Sequence, residues 1–139
     1  MTDGVALARV WLLERESGEH VLRLRASVGL SQTDPELRWD RTDGAHARLP
    51  LGYGKVGQIA ASGKPLLLQR GPRDWLLQPD WAEGEGIESF AGQPLVFRGE
   101  VLGVVAVFSR QPLGQRELEW LRVFADHAAV AIANARAFE

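Results

Sequence analysis

Cysteine is absent from the 139 residues. That excludes disulfides, thiolate zinc sites, thiol nucleophiles and thioether attachment of a chromophore. An excess of either charge is missing too. Sixteen Lys and Arg stand against 18 Asp and Glu, a formal net charge of −2, so the broad positive footprint of a generic nucleic-acid binder is lacking. No apolar run approaches the roughly 20 residues that span a bilayer. The start, Met1-Thr2-Asp3-Gly4, carries neither a basic flank nor a cleavage pattern. These absences lead to the expectation of a soluble, cytoplasmic domain without a membrane span or direct nucleic-acid contact.

What is present suits one compact domain over residues 1–139: 45% of residues are hydrophobic and 24% charged. The chain opens almost directly on an apolar run and ends inside a helical pattern, as expected of a fragment of a larger protein. Val5 to Leu13 is apolar at nearly every position, with Arg9 the exception. It reads as a strand buried on both faces. A polar turn over 14–19 follows. His20 to Val28 then alternates, with Leu22, Leu24, Ala26 and Val28 on one side and Val21, Arg23, Arg25 and Ser27 on the other. That period of two predicts a strand with one face in water.

Residues 29–46 are irregular and contain Trp39. A short strand is expected at 48–51. Gly54 onward reads as a short helix, capped by Gly63 and stopped by Pro65. Another short strand follows over 66–69. Residues 70–86 are again irregular, with Trp75 and Trp81, and carry a weak helical signal at 80–83. Two strands, 87–97 and 101–109, flank the glycine-bearing turn Arg98-Gly99-Glu100. The last segment is the clearest helix. Leu118, Leu121, Ala125, Ala128, Ile132 and Ala135 form one stripe; Trp120, Phe124, His127, Ala131 and Phe138 form a second. One stripe suits the sheet and the other a partner helix, most simply that of a second copy. Hairpins and doubly apolar strands together predict an α+β fold, with an antiparallel sheet covered on both faces.

Few groups suggest chemistry. Gly52-Tyr53-Gly54-Lys55-Val56-Gly57 matches G-x-G-x-x-G, but its helix must end by Pro65, too soon for a dinucleotide-binding crossover. A tight turn followed by close helix–sheet packing explains it better. His20, His46 and His127 lack metal-ligand spacing, and Asp126 and His127 are helix neighbours whose side chains diverge. No serine sits in a nucleophile-elbow context. The tryptophans of the irregular stretches are more informative, because exposing an indole is costly. They either cap the core or cover a small-molecule pocket with Arg73, Asp74, Ser89 and Gln93 as orienting groups.

Taken together, Ala8-Arg9-Val10-Trp11-Leu12-Leu13, then Gly54 through Pro65, then Gly86-Ile87-Glu88-Ser89-Phe90-Ala91-Gly92-Gln93-Pro94-Leu95-Val96, then Gly103-Val104-Val105-Ala106-Val107-Phe108, and the closing Ala131-Ile132-Ala133-Asn134-Ala135-Arg136 resemble a GAF domain in order and spacing. The resemblance implies a three-layer sandwich with a central six-stranded antiparallel sheet and helices on both faces. It also implies a regulatory role, in which small molecules are bound, or dimer state is transmitted, to an attached histidine kinase, enhancer-binding ATPase or cyclic-nucleotide enzyme. The family's pocket would correspond here to 70–93, with 29–46 adjoining. The chain departs from some members. Those that bind bilins or reduce free methionine sulfoxide use cysteines, and the Asn-Lys motif of cyclic-nucleotide binders has no counterpart. The helix that commonly precedes the first strand is missing, again as in a fragment.

The expectation is therefore a regulatory small-molecule-sensing and dimerisation module of a bacterial sensor kinase or transcriptional regulator. It would be a non-enzyme without cofactor or metal, a homodimer through its C-terminal helix, and covalently attached to an output domain. Trp75, Trp81 and Phe90 are the expected apolar contacts of the unknown ligand, and Asp74, Ser89 and Gln93 the polar ones. The alternatives are a ligand-free dimerisation scaffold whose tryptophans fill the pocket, and an enzyme on the same scaffold built from a distant carboxylate or histidine cluster.

Overall fold

The computed structural model describes residues 5–29, 48–68 and 87–137. Its elements are β1 (Val5–Glu16), β2 (Glu19–Gly29), β3 (Arg48–Pro50), α1 (Gly54–Ser62), β4 (Leu66–Leu68), β5 (Ser89–Phe97), β6 (Glu100–Ser109) and α2 (Gln115–Arg136). The six strands form one sheet in the order β3-β2-β1-β6-β5-β4, and every neighbouring pair is antiparallel. Two hairpins turn on two residues each. Ser17 and Gly18 have φ of 52° and 82°, and Arg98 and Gly99 have 52° and 79°. Positive φ at both central positions matches the twist of the flanking strands, so β1 and β2 continue further into the polar turn than the hydrophobic pattern alone indicates.

The strands β1 and β6 run through the middle of the sheet, which explains their apolar character on both faces. On one face Leu7, Trp11, Leu22, Leu24, Leu49, Phe90, Val104, Ala106 and Phe108 pack with Val56, Ile59 and Ala60 of α1. On the other, Leu95, Leu102 and Val105 pack with Ala125 and Ala129 of α2. The sheet is thus the middle of three layers, an α+β sandwich with a helix on either side.

The expected alternation along β2 breaks at a bulge. Trp11 lies opposite Leu24, but Val10 lies opposite Ala26, leaving Arg25 without a counterpart. One extra residue inverts everything beyond it, because side-chain direction repeats every two residues. Ala26 is therefore exposed, and Ser27, expected outside, is buried on the α1 face. Val21, also expected on the watered side, is buried where β2 pairs with Pro50 of β3.

The short helix α1 ends where its sequence indicates. Gly63 has φ 70°, and its amide donates to the Ile59 carbonyl at 2.8 Å. The helix α2 begins with the Glu117 carboxylate accepting the Gly114 amide at 2.6 Å, satisfying a donor that a helix start leaves free. Leu118, Ala125 and Ala129 are buried, and Leu121, Ala128, Ile132 and Ala133 pack partly against the sheet. Ala135, expected in this stripe, is exposed. A strict alternation of three and four advances 3.5 residues per turn whereas the helix turns every 3.6, so the sheet-facing stripe drifts to Ala129 and Ala133.

Candidate ligand-binding site

The α1 face of the sheet is built in cross-strand rows. Leu7, Phe108, Phe90 and Leu68 lie in register across β1, β6, β5 and β4. The next row is Ser27, Arg9, Ala106, Gly92 and Leu66. Phe90 is fully buried and meets Phe108 edge-to-face, with ring centroids 5.1 Å apart and planes at 66°. Gly92 is small for a reason. A Cβ there would come within 2.5 Å of Ile59 Cδ1 and 3.0 Å of Phe90 Cζ. The notch over Gly92 is thus filled by α1 and the Phe90 ring, fixing how the helix seats on the sheet.

Ser89 and Gln93 belong to the other face. Ser89 Oγ donates to the Gln111 carbonyl at 2.6 Å, and Gln93 Nε2 donates to the Leu118 carbonyl at 2.9 Å. Both side chains are buried. They fasten β5 to the β6–α2 connection and to the first turn of α2. Of the six residues expected at one site, the three that are described do not share a face. Phe90 lies on the α1 face and Ser89 and Gln93 on the α2 face, because consecutive and alternate residues of a strand take fixed sides. Asp74, Trp75 and Trp81 lie outside the described residues, as do Arg73, Trp39, His46 and most of both irregular stretches.

One polar pair on the α1 face did not stand out in the sequence. Arg9 follows Leu7 and precedes Trp11 on that face, and its Nε donates to Ser27 Oγ at 3.0 Å. The side chain is half-buried. Burial draws the guanidinium pKa below its ordinary value. Among the described residues no carboxylate lies within ion-pair distance of it. The signal was present as the single charge in an apolar strand. Ser27 was hidden, because only the bulge turns it inward.

The glycine-rich stretch is structural. The Gly52 amide donates to the Gly57 carbonyl at 3.0 Å, and a Cβ on Gly57 would lie 2.9 Å from Gly52 C. The turn and the nine-residue helix close on one another there. Among the described residues no three His, Cys, Asp or Glu side chains are grouped to hold a metal ion. His20 and His127 are exposed.

The family model described as GAF domain matches residues 2–132. The chain belongs to the GAF family. GAF domains generally serve small-molecule sensing and regulation. Among solved structures, the GAF domain of a phosphoenolpyruvate-protein phosphotransferase from Coxiella burnetii shares 24% identity at TM-score 0.68, over 96% of this chain and 74% of that one. A methyl-accepting chemotaxis protein shares 26% at 0.64, over 94% and 80%. A type II free methionine-R-sulfoxide reductase from Thermoplasma acidophilum shares 17% at 0.69, over 94% and 80%. No curated protein matches the chain significantly. This GAF domain contains no cysteine.

Proposed function

We propose that this GAF domain is a cytoplasmic, non-enzymatic module of a bacterial sensor kinase or transcriptional regulator, one that senses a small molecule and dimerises. The observation that carries the reading is the position of β5. Phe90 faces α1, while its neighbour Ser89 and the nearby Gln93 hold the start of α2. A ligand that binds one arrangement of the α1 face better than another shifts β5, and the hydrogen bonds pass the bias to α2. An attached output domain receives it. Trp75, Trp81 and Asp74 join Phe90 as ligand contacts in this proposal; Ser89 and Gln93 act as the relay.

A second copy of the chain is the proposed occupant of the outer side of α2. Trp120 and Phe124 are 65% and 51% exposed there. With His127, Ala131 and Asn134 they recur at spacings of four, three, four and three, the seam that matches an identical helix. The relative at 26% identity, a chemotaxis protein, supports a signalling setting.

Native mass spectrometry of the purified domain tests sensing through a co-purified small molecule. Replacing Trp75 and Trp81 with alanine should abolish ligand-induced stabilisation while the domain still folds; a fully retained thermal shift refutes those contacts. A scaffold without ligand is the second reading, favoured by the close packing of Phe90, Gly92 and Ile59. It predicts dimers, but no retained molecule and no ligand-induced shift.

A further inference from the structure

Resting on the sensing role proposed above, we propose that Arg9, oriented by Ser27, receives the carboxylate of a small apolar or aromatic acid on the α1 face of the sheet. A guanidinium loses hydration when drawn into an apolar layer, and that loss is normally offset by an acidic partner. Here the flanking same-face residues on β1 are Leu7 and Trp11, and the register partner on β6 is Ala106. The neutral Ser27 hydroxyl, bound to Nε, is the hydrogen-bonding partner of Arg9 among the described residues.

That single bond has a directional consequence. A guanidinium is a planar fork, and with Nε engaged its remaining paired donors are on the two Nη atoms. They match the two oxygens of a carboxylate end-on. Charge selects within the anions: one cation balances one negative charge, whereas a phosphate dianion would stay under-neutralised. The surroundings select the rest of the ligand. Leu7, Trp11, Phe90 and Phe108 share this face, so a hydrocarbon or ring body suits it better than a polyhydroxylated one.

The bulge in β2 belongs to this device. Without it Ser27 would point outward, and among the described residues the guanidinium would lose the partner that fixes its plane. Arg9 is then a recognition residue, retained at a cost to the unliganded domain.

The test is thermal unfolding of the full chain with benzoate, phenylacetate and 3-methylbutanoate, against benzamide, phenylacetamide and 3-methylbutanamide, with inorganic phosphate as a further arm. At least one acid should raise the Tm of the wild type, its amide and phosphate should not, and Arg9→Met should lose the response. Ser27→Ala should weaken it, and Arg23→Gln should leave it intact. Without ligand, Arg9→Met should have a Tm equal to or above that of the wild type, because a half-buried cation with no ion-pair partner among the described residues has been removed. A lower Tm instead marks Arg9 as a structural group and overturns the proposal. So does an acid response that survives Arg9→Met. Equal stabilisation by acids and amides preserves the sensing role while removing the carboxylate; no response to either, with no co-purified molecule, removes both.

Discussion

Ser89 and Phe90 are consecutive on β5 yet serve opposite layers: the Ser89 hydroxyl donates to the Gln111 carbonyl ahead of α2, while the Phe90 ring packs edge-on against Phe108 beneath α1. One strand therefore touches both helical layers within two residues. Any displacement of β5 is felt on both sides, since packed interiors resist continuous deformation.

Removing the Phe90 ring should be severe. Phe90→Ala leaves a cavity between Phe108, Ile59 and Gly92 and should cost about 3–5 kcal/mol. Chemical denaturation checks it. A loss below about 1 kcal/mol would mean that the ring is not held in the core as described.

Gln93 anchors α2 through one buried hydrogen bond. Gln93→Ala should cost about 1–3 kcal/mol, because the Leu118 carbonyl loses its side-chain donor and a buried volume is vacated. Amide hydrogen exchange should rise first in the opening turn of α2 and little in α1. Uniform acceleration across the chain would contradict the anchoring role.

Gly57→Ala presses a methyl group onto the backbone of Gly52 and should destabilise by about 1–3 kcal/mol. Gln58→Ala, one residue on and exposed, should be nearly neutral. Comparable melting temperatures for the two variants would show that the turn yields to the added carbon.

The outer seam of α2 predicts self-association. Phe124→Glu should convert sedimenting dimers to monomers with an unchanged circular dichroism spectrum. A wild type that stays monomeric at high concentration, or a variant that stays dimeric, removes this seam as the interface.

Glu16 gives a pH dependence of known sign. Hydrogen bonds from Arg23 and Arg48 hold its carboxyl below the ordinary glutamate value of 4.5. A depressed folded-state pKa contributes stability that is present above the unfolded value and lost as pH falls through the folded one. Wild type should therefore exceed Glu16→Gln at neutral pH, by a small margin because the cluster is exposed. The gap should close on acidification. A gap that widens toward acid would contradict these pairs.

Periodicity carried most of the architecture. The run ending at Leu13, the alternation of Leu22 and Leu24, the Gly63 cap and the stripe on α2 are local patterns, readable because burial imposes a repeat of two on strands and 3.6 on helices. The α+β sandwich followed from them. The candidate site was less legible. The sequence places Phe90, Ser89 and Gln93 on one strand, but the partners of Ser89 and Gln93 lie on segments distant in sequence, and no local pattern says which carbonyl an amide will reach.

The bulge opposite Val10 makes the same point most sharply. By itself the sequence determined that β2 would alternate and that Arg9 would interrupt an apolar strand. Pairing with β1 decided that one residue would be skipped, bringing Ser27 beneath the sheet and against the Arg9 guanidinium. Side-chain repeat is a property of the single chain, whereas register is a property of two strands and is settled where they meet.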